Sequence, residues 1–231
     1  MSTHAFALDW YLLRKQANGD TTEPTQANAD NMAAWLNTRQ QAVDDARRDF
    51  PSKSKIYFYA ELNRVLDATR DKKLRMANAV LHQTNVDYVS YSAYDVQNQS
   101  QEVINSTLDY IQAQLKPKAD ITGKRVFIGE MGMQALAFNG DQKKHEQKNR
   151  EIMLKFLQWK VPYILYWQIY NNEIDNGKQV GFWLIDKSDH KWPLWYTLYD
   201  LYNNQKNEVE HSGDSSYDFV NEKTRTYLLN P

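Results

Sequence analysis

Arg125-Val126-Phe127-Ile128-Gly129-Glu130-Met131-Gly132 is a short apolar run that stops on a glutamate set between two glycines. Apolar residues of this β-prone kind read as a buried strand. A lone carboxylate at its end is what a strand delivering one acid to an active-site rim requires. The fold is therefore read outward from Glu130.

Upstream, Lys55–Leu62 is a strand by its aromatic and apolar density, and it too ends beside a carboxylate, Glu61. Val86–Asp95 is a further strand, and Val161–Tyr170 follows the Glu130 run as the last clear one. A segment over residues 5–13 is the fifth candidate. Between them, apolar positions recur at helical spacing. Met32, Trp35, Leu36, Val43 and Ala46 mark a helix from about Asp30 to Asp49, closed by Pro51. Leu74, Ala77, Val80 and Leu81 mark a second, and Ile104, Leu108, Ile111 and Leu115 a third. Ile152, Met153, Phe156 and Leu157 give a fourth, and Trp195, Leu198, Tyr199 and Tyr202 a fifth. Residues 15–29 read as a loop, and the polar tail 207–231 as disordered or loosely docked. Domain organisation is thus one domain over 1–206 followed by that tail.

Strand and helix alternate at roughly 30 to 40 residues per unit, the pattern of right-handed crossovers and a parallel sheet. Strands without strict alternation imply that both sheet faces are covered. The fold class is α/β, either an open doubly wound sheet or part of a (β/α)8 barrel. In both, function sits at the carboxyl ends of the strands. No glycine-rich phosphate loop follows any strand, which argues against nucleotide binding.

Composition narrows the rest. With 28 basic and 29 acidic residues, no net field favours nucleic acid or an anionic membrane. No cysteine is present, so disulfides and thiolate metal sites are excluded. The five histidines share no spacing, and His145-Glu146 lacks a second histidine, so neither metal nor cofactor is expected. The first residues lack a basic segment followed by a long apolar one, so no signal peptide is read there. No apolar run approaches the roughly 20 residues a bilayer span needs. The expected chain is soluble, and its compartment is left open. Asn98-Gln99-Ser100 and Asn105-Ser106-Thr107 fit the glycosylation triplet, a pattern common by chance. Seven Trp, fifteen Tyr and eight Phe suit either core packing or stacking on sugar rings.

The last three strands carry a resemblance. Gly129-Glu130-Met131-Gly132, Ser92-Ala93-Tyr94, Trp167 and Gly181-Phe182-Trp183-Leu184-Ile185-Asp186 stand in the same order as elements of clan A glycoside hydrolases, retaining (β/α)8-barrel enzymes. The likeness covers roughly residues 53–203 and resembles the C-terminal half of such a barrel. It implies that Glu130 is the nucleophile on strand seven, that Tyr94 on strand six hydrogen-bonds it, and that Trp167 on strand eight floors a sugar subsite. Serine stands at Ser92, where the clan commonly has histidine. Strand four, which bears the acid/base glutamate in the clan, would fall on residues 5–13, where Phe6-Ala7-Leu8-Asp9-Trp10 has no glutamate.

Retaining hydrolysis needs two carboxyls about 5 to 5.5 Å apart, one attacking and one donating a proton. Glu130 suits the first role. Asp9 and Glu61 are the candidates for the second, with Glu61 and Asn63, on one face of their strand, better suited to binding substrate hydroxyls. Tyr91, Tyr94 and Trp167 complete the expected carbohydrate site. The plainer alternatives are a structural Glu130 paired with Arg64 or a lysine, and Tyr94 and Trp167 as core aromatics. A complete barrel takes about 250 residues and eight strands. Five strands imply its back portion, with an open face needing a second copy or a separate front half.

Overall fold

The computed structural model describes residues 19, 22–170, 173–175, 177–179 and 181–230. The expected first strand, 5–13, and Asp9 with it, lie outside the described residues.

Helix α1, Gln26–Asp49, begins four residues before the expected start at Asp30, because Thr25 caps it. The Thr25 hydroxyl accepts the Asn28 N–H at 3.3 Å, and the Asn28 side chain accepts the Thr25 N–H at 2.9 Å. Strand β1, Tyr59–Leu62, follows. It is shorter than the expected 55–62: Ile56, near its start, is exposed. Next come a short helix α2, Val65–Thr69, that the sequence did not announce, then a π-helical turn Met76–Val80 running into a 3-10 turn Leu81–Gln83. Strand β2, Tyr88–Ser92, gives way to a 3-10 turn Ala93–Asp95, so the expected strand 86–95 is trimmed at both ends. Helix α3, Gln101–Ala113, capped by Ser100, leads to β3, Val126–Met131. Helix α4 is Gln142–Gln158 and β4 is Ile164–Tyr166. A two-stranded antiparallel pair, β5 (Ile174–Asp175) with β6 (Lys178–Gln179), precedes α5, Pro193–Ser212, and α6, Tyr217–Leu229.

The sheet has four strands in the order β1-β2-β3-β4, with β1, β2 and β3 parallel. The fold is mixed α/β, each parallel strand reached through helical chain. Two compact units share the polypeptide: Met1–Glu130 with Val161–Tyr163, and Met131–Lys160 with Ile164–Pro231.

In the first unit one sheet face is wholly covered, as the sequence implied for both, and the other is covered in part. Ala60, Leu62, Val89, Tyr91, Val126 and Ile128 are wholly buried, as are Leu36 of α1 and Ile104, Leu108 and Ile111 of α3. Each large apolar side chain hidden this way contributes roughly 1.5–3 kcal/mol. The alternate residues are Tyr59, Ser90, Phe127 and, beside β3, Tyr163, whose carbonyl accepts the Ile128 N–H. On this side Ser90 and Phe127 are buried, while Tyr59 is 37% and Tyr163 63% exposed. Tyr57, Tyr59, Tyr88, Phe127 and Tyr163 line a cavity of about 200 Å³ there.

In the second unit, the expected loose tail is helical. Helix α5 runs through the boundary expected at 206, and α6 is capped by Ser216. Asn221 and Leu228 are buried, and the Asn221 amide donates to the Leu157 carbonyl of α4. A buried face made of one asparagine and one leucine seven residues apart gives no apolar period, which is why the tail reads as featureless.

Candidate active site

The carboxyl ends of β1, β2 and β3 gather Glu61, Ser90, Ser92, Gly129 and Glu130. Register sets which way each points. Tyr91 pairs with Ile128, but Ser92 pairs with Glu130, so Gly129 is an extra residue in β3. Side chains alternate along a strand, and in an unbroken β3 Glu130 would share the covered face with Ile128. The bulge moves it to the face of Ser92 instead. Bulges re-aim side chains in this manner beside many active sites.

Gly129 has no alternative residue here. A Cβ on it would stand 1.7 Å from the Ser90 hydroxyl oxygen, 3.1 Å from its Cβ and 3.4 Å from Oε1 of Glu61. The Ser92 hydroxyl donates to that same Glu61 Oε1 at 2.7 Å. Glu61 is 9% exposed, and burial pushes its carboxyl above the ordinary value, partly offset by hydrogen bonds from Ser90 and Ser92. Glu130 is half-buried. Asn63 is buried just past the end of β1, followed by Arg64, whose left-handed backbone (φ 53°) turns the chain into α2. Arg64 pairs with Asp67 at 2.5 Å.

Tyr91 does not join this group, contrary to the expectation. It lies on the covered face, fully buried, and its hydroxyl donates to Asp95 at 2.6 Å. Asp95 in turn accepts the Leu66 N–H at 2.9 Å, tying the end of β2 to the start of α2. Burial, with Asp95 adding to it, holds the Tyr91 phenol well above its usual value. Tyr91 is a strut, displaced by one residue of strand parity from the side of the sheet that bears Glu61 and Ser92. Tyr94 sits half-buried in the 3-10 turn directly after β2, rather than on the strand itself.

Trp167 belongs to the second unit, where it is half-buried. Its backbone N–H donates to the Met131 carbonyl at 2.9 Å and its indole N–H to Glu173 at 2.8 Å. The Trp167–Gln168 peptide is cis. A Cβ on Gly132 would meet the Trp167 carbonyl at 2.6 Å, which explains the second glycine of the quoted run. Glu173 carries no motif and was not anticipated.

His145, set aside as a metal ligand in the sequence, is the buried hub of this unit. Its Nε2 lies 3.0 Å from the Met133 carbonyl and 3.3 Å from the Tyr166 hydroxyl. The rings of Phe138 and Trp192 meet it edge to face, and Trp192 meets Trp183 likewise. Nδ1 is buried with no hydrogen-bond partner. Burial pushes the imidazole below its ordinary value, against the opposing pull of the Met133 carbonyl and Glu146. The Gly181–Asp186 segment packs Trp183 against Ala135 and Trp192, while Asp186 accepts the N–H groups of Ser188 and His190.

Among the described residues, no group of three or more His, Asp or Glu side chains is arranged to hold a metal ion, and no helix is long and apolar enough to cross a membrane. No protein-family model, no curated protein and no solved structure matches the chain.

Proposed function

We propose that this chain is a glycoside hydrolase-like protein built on part of a (β/α)8 barrel, with Glu130 as the nucleophile of retaining hydrolysis and a carbohydrate as its ligand. The observation that carries this reading is the bulge at Gly129. It turns the glutamate at the end of a parallel strand onto the face that holds a second, buried glutamate. Two carboxyls in different surroundings, at the carboxyl ends of parallel strands, are what glycosidic bond cleavage uses. Trp167, fixed at its indole nitrogen by Glu173, offers a ring for sugar stacking in its own unit. On this reading the side bearing Tyr59 and Tyr163 is covered by a second copy of the chain or by further barrel strands.

A panel of 2,4-dinitrophenyl 2-deoxy-2-fluoroglycosides tests the nucleophile. The expected result is a stoichiometric mass increase, mapped to the peptide containing Glu130, for at least one sugar. Glu130→Gln is expected to remove labelling and to lower aryl-glycoside turnover by at least about 10³-fold. Labelling elsewhere, or full activity in the variant, would overturn the assignment.

The exposure of Tyr59 and Tyr163 favours a second reading, a carbohydrate-binding protein without turnover. Saturable sugar binding by a chain that neither hydrolyses nor is labelled would select it.

A further inference from the structure

We infer that the last turns of helix α1 and the segment after it form a second ligand site, which takes one medium-chain aliphatic carboxylate with its head at Lys55. The buried residues of α1, Ala29, Ala33, Leu36 and Gln40, recur every three or four positions. At the same spacing the stripe then turns polar, through Asp44 and Arg47. Arg47 donates to the Ile56 carbonyl at 2.6 Å and to Asp44 at 3.0 Å, and it also binds Asp87. The apolar residues of these turns stand beside that stripe instead of in it. Ala42, Val43, Ala46 and Phe50, with Ile56 and Tyr57, line a cavity of about 630 Å³. Ala42 and Ala46 are exposed, as are Phe50 (78%) and Ile56 (64%), so the described chain leaves this apolar trough uncovered.

Its size lies within the range of about 300–1,000 Å³ of small-molecule sites, which are mostly apolar with a few polar groups. The wall is fixed in advance. The Arg47 guanidinium lies 5.1 Å over the Tyr57 ring, and Tyr88 meets that ring edge to face at 5.2 Å. Charge then selects the ligand. Arg47 is taken up by Asp44 and Asp87, and Asp120, the carboxylate lining the cavity, is balanced by Arg47 and Arg125. Lys55, also on the wall, has no ion pair or hydrogen bond among the described residues, and neither has Lys53. One uncommitted ammonium beside an apolar trough suits an apolar body with one negative end. The row Ala42, Ala46, Phe50 runs about 12 Å along the helix, which favours an extended alkyl chain over a compact ring.

The site lies before the amino end of β1, whereas Glu61 and Glu130 gather at the carboxyl ends of the strands. It is therefore independent of any chemistry at Glu130. Binding is non-covalent: the tail replaces water over Ala42, Ala46, Phe50 and Ile56, and the carboxylate pairs with Lys55.

The test is calorimetric titration of the full chain with hexanoate, octanoate, decanoate and dodecanoate, each below its micelle concentration. One-to-one binding is expected, tightening by about two- to fourfold for each methylene and levelling once the trough is full. Ala46→Trp, at an exposed helical position, fills the trough and should weaken decanoate binding by at least about tenfold, with unchanged far-UV circular dichroism. Lys55→Gln, on the exposed segment, should weaken it by about two- to fivefold and remove the preference for decanoate over decyltrimethylammonium. Decanoate binding that survives Ala46→Trp, affinity that never levels with chain length, or no preference over the ammonium in the wild type would overturn the site. Absence of alkanoate binding would overturn it too, and retention by phosphatidylglycerol vesicles in that case would make the trough a membrane contact.

Discussion

At the residue scale the decisive feature is one inserted glycine. Glu130 was legible because a carboxylate closing an apolar run is conspicuous in any reading of the chain. Its direction was not, because a bulge is a relation between two strands, and nothing within 125–132 states that Ser92, not Tyr91, stands opposite Glu130. Tyr91 was misassigned for the same reason: parity along β2 decides whether a tyrosine faces substrate or helix. Ser90 passed as an ordinary strand residue, and Ser92, noted only as serine at the clan's histidine place, gave no sign that it holds Glu61. This geometry makes Gly129→Ala informative. The added methyl collides with the Ser90 hydroxyl, so a loss of about 1–3 kcal/mol in chemical denaturation is expected, together with loss of Glu130 labelling. Removing the obstacle in Ser90→Gly/Gly129→Ala should return most of the stability, a coupling that a double-mutant cycle reads directly. Additive effects would show that the collision is not the cause.

At the element scale, packing of strands and helices was read well where one face is apolar and poorly where polar groups do the joining. The crossing of α1 over the sheet depends on Asp87, which is 1% exposed just before β2. It binds Arg47 of α1, Lys118 at 3.1 Å, the Phe58 N–H at 3.0 Å and the Gln40 amide at 3.2 Å. No periodicity announces such a residue. Burial alone would push its carboxyl up, but Arg47, the Phe58 N–H, Gln40 and Lys118 together outweigh it and hold it below its ordinary value. A depressed carboxylate contributes stability above its unfolded value, near pH 4, and that contribution is lost as pH falls through the folded value. Asp87→Asn strands Arg47 and Lys118 around a neutral group, and is expected to cost about 3 kcal/mol at pH 7. It should also flatten the acid limb of stability below about pH 4. An unchanged urea midpoint at pH 7 would refute the hub.

At the scale of the whole molecule, the order of strands and helices in the chain follows the expected α/β alternation, but the division into two units does not. The cut falls between Glu130 and Met131, inside a single strand, and between Tyr163 and Ile164. Sequence marks domain boundaries by linkers, and here there is none to see. The two units carry different acid-sensitive groups, which makes the division measurable. In the second unit, protonating His145 would place a proton on the unpartnered Nδ1 inside the cage of Phe138 and Trp192, with Glu146 the neighbouring charge. A depressed imidazole leaves the unfolded chain with more bound protons below about pH 6.5, so stability in this unit falls as pH drops from there towards the folded value. The first unit loses the Asp87 contribution only below about pH 4. Of the seven tryptophans, Trp159, Trp167, Trp183, Trp192 and Trp195 belong to the second unit. Acid titration near the urea midpoint should therefore move tryptophan fluorescence first, with the remaining far-UV circular dichroism lost at lower pH. His145→Gln should remove the earlier step and leave the later one. A single transition seen alike by both probes would show that the units unfold as one.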